Sequence, residues 1–411
     1  MSSLQPVRGT HDLMPEDTRR HRFVEDTAFA TARRYGYGEI ATPIFEFTEV
    51  FARTLGETSD VVTKEMYTFA DRSGDSLTLR PEGTAGVARA FISNGLAQQL
   101  PVKVFYRGPM FRHERPQKGR LRQFHQVGVE LLGVENPLAD VEVIALAWRM
   151  LSALGLGDKV SLELNTLGDA ESRLAYRAAL VAYLDPFRDR LSEDSRNRLD
   201  RNPLRVLDSK DEGDRRIVAG APEMAASLTP AAREFFGVVT GGLEALGIPY
   251  TVNPRLVRGL DYYCHTAFEF TTTALGAQGT VLAGGRYDEL IATMGGQRTP
   301  GIGWAAGVER LSMLVDAVPA PERPVAVIPM GDQLAAMAVA ERLRGVGLAV
   351  DVGFSGNMKK RMARANKVDA RIAVILGEDE AARGAVTVRD LDSGTQDEVA
   401  LADIERHFQE R

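Results

Sequence analysis

The chain has 411 residues, of which 44% are apolar and 26% charged, a composition typical of globular proteins, and its formal net charge is −6. This length indicates two or three domains, and the negative charge restricts any nucleic-acid contact to local basic surfaces. The single cysteine, Cys264, excludes an intramolecular disulfide and a cysteine zinc cage. No apolar run reaches the roughly 20 residues of a membrane span and no signal peptide is evident, so we expect a soluble cytoplasmic protein.

Residues 1–320 are predicted to form one domain around an antiparallel sheet. A helix is predicted for DTRRHRFVEDTAFATARRYG, and the strands that follow are separated by few helices, which favours antiparallel pairing. These predicted strands are SLTLR, VKVFYRG, RLRQFHQVGVELLG, TAFEFTTT and TVLAGGRYD. Between about 170 and 245 the chain becomes polar and helical, which indicates an inserted helical module.

The proline-rich segment VDAVPAPERPVAV predicts a domain linker. Beyond it, over residues 325–411, strands alternate with helices, which predicts a small α/β domain with a mostly parallel sheet. The expected fold class is therefore α+β: an antiparallel core with a helical insertion, followed by a small α/β domain.

The segment FRHERPQKGRLRQFHQVGVE predicts the wide cationic tip of a long hairpin and its exit strand. Side chains alternate along that strand, so one face should enter the core while Gln126 and Glu130 share the other with a bare Gly128, which leaves room above the sheet. A glutamate on a central strand is costly unless something cationic pairs with it. The alternative is a solvent-facing sheet surface. The residues expected on the polar face are Arg122, Phe124, Gln126, Gly128 and Glu130, and those on the opposite face are His125, Val127, Val129 and Leu131.

The cationic residues of this hairpin need anionic partners, and arginine is suited to bidentate contacts with carboxylate or phosphate groups. The alternative is a solvated charged loop. The residues concerned are Arg112, Arg115, Lys118, Arg120 and Arg122.

Three further segments combine charged residues with turns. TLRPEGTAGVARA predicts a turn and a helix that starts at Thr84, with Glu82 beside it; a plain turn with an N-cap is the alternative. LVRGLDYYCHTAFEF places Arg258 and Asp261 beside Tyr262 and Tyr263, before a strand; a buried ion pair with packed tyrosines is the alternative. GIGWAAGVERLSMLV puts Arg310 in the first turn of a helix, where a cation opposes the helix dipole unless an anion binds there.

Taken together, these segments resemble the class II aminoacyl-tRNA synthetases, and within them the histidyl family. FRHERPQKGRLRQFHQ is similar to the second class motif, GIGWAAGVERL to the third, and GYGEIATPIFEFTEVF, with Pro43, to the first, which in this class lies at a dimer interface. RGTHDLMPED, LRPEGT, LVRGLDYY and AGGRYDEL resemble signatures of the histidyl family. The resemblance covers nearly the whole chain, including RVLDSKD and GEDE.

The resemblance implies that L-histidine and ATP form histidyl-adenylate and pyrophosphate, after which histidine is transferred to the 3′-terminal adenosine of histidine tRNA. Mg²⁺ is expected with ATP, and no metal site of protein ligands is expected, because His113 and His125 lack a suitably spaced third ligand. The catalytic residues implied are Arg112, Arg258 and Gln126. Histidine binding is implied for Glu82, Thr84, Arg112, Gln126, Glu130, Arg258, Tyr262, Tyr263 and Tyr287, and ATP binding for Arg112, Glu114, Arg120 and Arg310.

Contact with tRNA is expected at two basic surfaces, and the C-terminal domain resembles the family's anticodon-binding domain. The hairpin tip should reach the acceptor end, and the helix NMKKRMARANK should present phosphate-binding side chains, with a solvated helix face as the alternative. The residues implied are Arg115, Gln117, Lys118, Lys359, Lys360 and Arg361. A homodimer is implied by the family.

The alternative function is that of a histidine-sensing regulatory subunit without charging activity. Such paralogues typically lack the anticodon-binding domain and have degraded motifs, whereas this chain keeps Arg112, Arg258 and Arg310.

Overall fold

A computed structural model of the chain describes residues 4–55, 61–257, 262–276 and 279–410. The chain divides into two compact units that separate between Val318 and Pro319. Among the described residues, no helix combines the length and apolar character that crossing a membrane requires.

The first unit opens with helix α1 (Pro15–Arg34), which confirms the predicted early helix. Proline occupies the first helical turn, where its missing N–H costs nothing, and the first turn is acidic while the last is basic, as the helix dipole favours. The inner face of α1 buries Val24, Ala28 and Ala32 in the main core.

Most strands of the first unit form an eight-stranded sheet, and three short ones form a separate sheet in the order β2-β4-β3. In the large sheet the order is β1-β5-β6-β11-β10-β9-β7-β8, and only the edge pairs β1–β5 and β7–β8 are parallel. The predicted antiparallel core is thereby confirmed. The strands are β1 (Gly38–Glu39), β2 (Phe45–Phe47), β3 (Tyr67–Ala70), β4 (Ser76–Leu79), β5 (Val102–Phe111), β6 (Gln123–Leu132), β7 (Ser161–Thr166), β8 (Thr251–Val252), β9 (Cys264–Thr271), β10 (Thr280–Arg286) and β11 (Gly301–Gly307).

The predicted long hairpin is formed by β5 and β6, which pair continuously from Val102↔Leu132 to Phe111↔Gln123. On one face of β6, Val127, Val129 and Leu131 enter the main core. This confirms the alternation predicted from the sequence and leaves the other face of β6 to the site.

Nine further helices are described in the first unit. The caps of α5, α6, α7 and α8 follow the usual chemistry, since an Asp, Ser or Thr oxygen accepts a backbone N–H of the first turn. Helices α5, α6 and α7 share a small apolar core, which gives the inserted segment its own packing. The helices are α2 (Thr48–Leu55), α3 (Thr84–Ser93), α4 (Leu138–Ala153), α5 (Ala170–Leu184), α6 (Glu193–Arg201), α7 (Glu212–Val218), α8 (Pro230–Ala245), α9 (Leu290–Thr293) and α10 (Val308–Leu314).

The second unit contains a five-stranded mixed sheet in the order β13-β12-β14-β15-β16. Strand β12 pairs in parallel with both neighbours, whereas β14–β15 and β15–β16 are antiparallel. The prediction of a mostly parallel sheet was therefore wrong for half of the pairings, because the connections β14–β15 and β15–β16 are both too short for the crossover that parallel neighbours need. The elements are β12 (Val325–Pro329), α11 (Gln333–Gly345), β13 (Val350–Val352), α12 (Met358–Lys367), β14 (Ile372–Leu376), α13 (Glu378–Ala382), β15 (Ala385–Asp390), β16 (Gln396–Ala400) and α14 (Ile404–Gln409).

Candidate active site

A cavity of about 1130 Å³ lies in the first unit and is lined by the polar face of β6, by β10 and β11, and by the start of α10. Residues of the inserted segment between Leu207 and Ala219 also line this cavity. Most residues that the sequence singled out for chemistry meet there.

Helix α3 begins at Thr84, as predicted, but the side chain that caps it is that of Glu82. The Glu82 carboxylate accepts the backbone N–H groups of Thr84 and Ala85, each at 2.7 Å. Burial raises the pKa of Glu82, and these two N–H donors oppose that rise. Because Glu82 satisfies the helix terminus, the Thr84 hydroxyl is left to bond elsewhere.

The Thr84 hydroxyl donates to Glu130 Oε1 at 2.8 Å, and the Tyr287 hydroxyl donates to Glu130 Oε2. Glu130 is only 1% exposed. A Cβ atom at Gly303 on the neighbouring strand would lie 1.7 Å from Glu130 Oε2, so only glycine there leaves room for the carboxylate. Burial raises the pKa of Glu130 to about 8, although the hydrogen bonds from Tyr287 and Thr84 lower it.

The space that Gly128 was expected to leave above the sheet is filled. A Cβ atom at Gly128 would lie 2.3 Å from Cζ of Tyr106, whose ring packs directly on the glycine. The prediction of open room at this position was therefore wrong, because the sequence of β6 does not show which ring β5 supplies. Burial raises the pKa of Tyr106 well above its usual value, so its hydroxyl is neutral.

Three tyrosines form an aromatic wall beside Glu130. The rings of Tyr262 and Tyr263 are 4.5 Å apart between centroids, and those of Tyr262 and Tyr287 are 5.7 Å apart in an edge-on arrangement. All three tyrosines line the cavity. The structure thus brings together the aromatic residues that the sequence assigned to histidine.

Gln126 and Arg112 present polar groups to the same cavity. Gln126 Oε1 is buried and has no hydrogen-bond partner among the described residues, so a donor from a ligand would satisfy it. Arg112 is fixed at its stem, because Nε donates to the carbonyl oxygen of Pro81 at 2.9 Å and the guanidinium lies 5.3 Å from the ring centroid of Phe124.

Arg310 occupies the first turn of α10, as predicted, and is held by two backbone carbonyls. Its Nε donates to Gly119 at 2.9 Å and its Nη1 donates to Thr280 at 2.6 Å. Burial lowers the pKa of Arg310, and the charges of Arg120 and Arg112 lower it further. Arg120 forms an ion pair with Glu114. Cations that repel one another in a cavity are stabilised when an anion binds between them.

The predicted tRNA residues fall into two groups. Arg115, Gln117 and Lys118 are exposed at the hairpin tip, where the backbones of Gln117 and Arg120 bond to each other across a tight turn. On α12, Lys359 and Lys360 are exposed.

Arg361 differs from its neighbours on α12, because its side chain packs inward. It is 9% exposed, and its Nε has no hydrogen-bond partner among the described residues. The helical period explains the difference, since three consecutive residues of a helix cannot share one face. Arg258 and Asp261 lie outside the described residues.

Sequence reasoning missed four residues that the fold brings to the site or next to it. Glu309 contacts His125, and ligand-type atoms of His21, His125 and Glu309 lie within 4.8 Å of one another. His125 therefore does have acidic and imidazole neighbours, contrary to the expectation, and they come from α1 and α10. Glu163 and Glu269 are cross-strand neighbours on β7 and β9 and line the cavity.

An antiparallel core, a cavity lined by clustered cations and a buried acceptor bonded to two residues of that lining accord with the resemblance to class II aminoacyl-tRNA synthetases. The profile of the histidyl-tRNA synthetase family matches residues 9–311, and that of the anticodon binding domain matches residues 324–411. The chain belongs to the histidyl-tRNA synthetase family, which confirms the resemblance of its motifs.

Individual relatives agree along the whole chain. The histidine–tRNA ligase of Rhodospirillum rubrum is 70% identical over 98% of both chains, and that of Gluconacetobacter diazotrophicus is 61% identical over 98% of this chain and 97% of its own. The apo histidyl-tRNA synthetase of S. aureus superposes with a TM-score of 0.83 at 33% identity, covering 99% of this chain and 100% of that one.

A structure titled as an ATP phosphoribosyltransferase regulatory subunit/histidyl-tRNA synthetase, from Bacillus halodurans, has a TM-score of 0.65 at 22% identity. It covers 89% of this chain and 97% of its own, and at that identity it shares the fold alone. The enzyme relatives therefore support the ligase function over the regulatory alternative.

Proposed function

We propose that the chain activates L-histidine with ATP to give histidyl-adenylate and pyrophosphate, and then transfers histidine to the 3′-terminal adenosine of histidine tRNA. The observation that carries this proposal is that the clustered cations Arg112, Arg120 and Arg310 line one cavity. The buried acceptor Glu130 lies behind Thr84 and Tyr287, two residues of the same lining that bond to it. The buried acceptor suits an amino acid with N–H groups in its side chain, and the clustered cations suit a polyphosphate.

Amino-acid selection rests on Glu130, with Tyr263 and Tyr287 beside it. An imidazole N–H donates to the Glu130 carboxylate, which already accepts from Thr84 and Tyr287. An apolar side chain would supply no further donor to this buried acceptor, and the loss of that bond is what gives polar pockets their discrimination.

The α-ammonium group of histidine is bound by Glu82, Thr84 and Gln126. Glu82 and Gln126 line the cavity and offer a carboxylate and an amide oxygen as acceptors. Gln126 Oε1 has no partner among the described residues. Tyr262 contributes to the aromatic wall on which the amino acid packs.

In the first step a carboxylate oxygen of histidine attacks the α-phosphorus of ATP, and the bond to pyrophosphate breaks. Arg112, with Arg258, binds the carboxylate and the α-phosphate and stabilises the charge that develops on phosphorus. Arg310 binds the γ-phosphate end, and Glu114 with Arg120 forms the side that receives the rest of the nucleotide. No general base is required, because the attacking carboxylate is already ionised.

Mg²⁺ enters with ATP. Glu163 and Glu269 fit it, because they are cross-strand neighbours with carboxylate oxygens at the cavity, the donor type that Mg²⁺ prefers. When bound, the ion would offset negative charge on the leaving pyrophosphate. The two carboxylates are already oriented, since Asn253 donates to Glu163 and Thr280 donates to Glu269.

In the second step the terminal ribose hydroxyl attacks the histidyl carbonyl and AMP leaves. The phosphate of the adenylate accepts the proton, and Gln126 orients the reacting groups. A Gln126→Ala enzyme should therefore show slower single-turnover transfer from preformed adenylate, and an unchanged transfer rate would exclude this role.

The tRNA contacts two surfaces, each in its own unit. Arg115, Gln117 and Lys118 of the hairpin tip contact the acceptor end, and Lys359 and Lys360 contact the anticodon arm. Residues 1–320 then form the catalytic domain, with the insertion at about 170–245, and residues 325–411 form the anticodon-binding domain. A cytoplasmic location accords with this substrate.

The active form is a homodimer. The three-stranded sheet β2-β4-β3 supports this proposal, because its apolar face is exposed and its polar face is buried. Phe45, Phe47 and Phe69 are 48%, 58% and 46% exposed, whereas Glu46 and Thr78 on the opposite face are buried. An apolar face turned outward needs a cover, and Pro43 of the adjoining segment belongs to the motif that lies at dimer interfaces in the class. A second copy of the chain is that cover.

Charging of tRNA tests the proposal. Purified protein is incubated with ATP, radiolabelled histidine and histidine tRNA, and acid-precipitable label is counted. We expect labelled tRNA that depends on ATP. Histidine binding without any labelled tRNA would contradict the proposal and favour the regulatory function.

A further inference from the structure

The hydrogen-bonded ladder between β6 and β11 ends before it reaches His125 of β6. Its last pair is Gln126↔Gly307, because α10 begins at Val308. The next residue of β6 on that side, His125, consequently has no strand carbonyl opposite its N–H. A buried N–H without an acceptor is costly, so another group must supply one.

Glu309 supplies that acceptor with its side chain. Both carboxylate oxygens accept the His125 backbone N–H at 2.9 Å, and Oε1 also lies 2.9 Å from His125 Nδ1. The side chains of Glu309 and His125 are 12% and 20% exposed, so water competes little for these bonds.

The chain neighbours of His125 and Glu309 belong to the proposed ATP and histidine sites. Phe124, which lies under the Arg112 guanidinium, and Gln126 flank His125 on β6. On α10, Glu309 directly precedes Arg310. The Glu309 carboxylate therefore joins β6, whose Phe124 supports the Arg112 guanidinium, to α10, which carries Arg310.

We propose that Glu309 is a positioning residue that fixes the spacing of Arg112 and Arg310 along the triphosphate of ATP. This inference rests on the proposed function of the same site. Glu309 acts through its neighbours, and its loss lets α10 shift against β6, which misaligns Arg310 while the histidine pocket around Glu130 keeps its own bonds. A misplacement of about 1 Å can cost up to about 100-fold in rate.

His21 on α1 supports His125 from the other side. The two rings meet edge-on with centroids 5.5 Å apart, and His21 is 8% exposed. A zinc ion would instead hold its ligand atoms about 3.4 Å apart, given Zn–N bonds of about 2.0–2.1 Å in tetrahedral geometry. Glu309 already bonds to His125, and His21 packs against the His125 ring. The three residues therefore hold one another in place without needing an ion.

The test compares Glu309→Gln with the parent and with Glu135→Gln, a matched change at an exposed glutamate that pairs with Arg298 at the surface. ATP–pyrophosphate exchange gives KM for ATP and for histidine, calorimetry gives ATP binding directly, and thermal unfolding reports stability. We expect Glu309→Gln to raise KM for ATP about tenfold and to leave KM for histidine within about twofold.

A second variant, His125→Asn, retains the backbone N–H bond and replaces the imidazole donor by an amide, so it should raise KM for ATP by less than Glu309→Gln does. Equal increases in both KM values, or a lower unfolding temperature with unchanged ATP binding, would overturn the positioning role. Absence of exchange in the parent would instead contradict the proposed function, while ATP binding by calorimetry would still decide the positioning role.

Discussion

The Thr84 hydroxyl donates to Glu130 Oε1 at 2.8 Å across 46 residues of sequence. This bond joins the start of α3 to the central strand β6, and it is possible because Glu82 caps the helix in place of Thr84. The buried acceptor proposed to select the amino acid is thus held in place by the segment that is proposed to bind the α-ammonium group.

Replacing Thr84 by valine keeps the shape of the side chain and removes its hydroxyl. We expect Thr84→Val to raise KM for histidine about tenfold, because a donor to a buried carboxylate is worth about 1–3 kcal/mol. The measurement is histidine-dependent exchange at saturating ATP. Thr84→Ser retains the hydroxyl and should stay near the parent, and a valine enzyme with the parent's KM would show that the bond does not matter.

Glu130 makes stability depend on pH. Its pKa is about 8 in the folded chain against an ordinary value of 4.5, so between these pH values the folded state binds more protons than the unfolded state. The stabilising contribution is therefore complete below about pH 4.5 and is lost as pH rises to about 8. In Glu130→Gln this loss is absent.

The check is urea unfolding of both proteins at pH 5 and pH 8. The parent should lose more unfolding free energy between these conditions than Glu130→Gln does. Equal losses would mean that the pKa of Glu130 is not raised.

A buried ion pair dominates the expected losses of stability. Arg286 and Asp140 are both fully buried and bonded to each other. Asp140→Asn should lower the free energy of unfolding by about 3 kcal/mol, the lower end of the range for a broken buried pair, because Asp288 remains as a second counter-charge beside the guanidinium. Arg298→Ala, which removes the exposed pairs with Glu135 and Glu289, should cost less than about 1 kcal/mol. Comparable effects of the two changes in denaturant titrations would contradict this difference.

The exposed apolar face of the three-stranded sheet should be needed for assembly of the dimer. A charge on its outward face, as in Phe47→Glu, is expected to halve the molar mass measured by light scattering, because it cannot be buried against a second copy. Phe354→Glu, at a residue that is 68% exposed in the other unit, is the matched control and should leave the mass unchanged. A parent that is already monomeric would remove the proposal.

On α12, Lys360 is exposed and Arg361 is buried. Substitutions at these two residues therefore distinguish contact with phosphate from packing. Lys360→Ala should weaken tRNA binding and reduce the slope of log K against log salt by about 0.7–0.9, the change expected for one lost phosphate contact. Arg361→Ala removes a buried side chain, so it should leave the slope unchanged. The measurement is filter binding of tRNA at several salt concentrations, and equal slopes for Lys360→Ala and the parent would exclude the contact.

Much of this site could be predicted from the sequence. The alternation of β6 placed Gln126 and Glu130 on one face because a strand has a fixed period of two residues. The helix start at Thr84 followed from the turn residues before it. Local patterns of this kind need no knowledge of the rest of the fold.

Contacts between distant segments could not be predicted. No local pattern shows that Tyr106 fills the space over Gly128, or that Glu309 replaces a missing strand partner of His125. Both depend on which element lies beside β6. The burial of Arg361 could have been found from the helical period alone, had its position been compared with those of Lys359 and Lys360.

The measurement that tests the central claim most directly is ATP–pyrophosphate exchange on the purified protein, run with each of the 20 standard amino acids in turn. The account predicts exchange with histidine and none with the others, since only histidine both fits beside the tyrosines and donates to Glu130. No exchange with histidine, or equal exchange with an apolar amino acid, would contradict it.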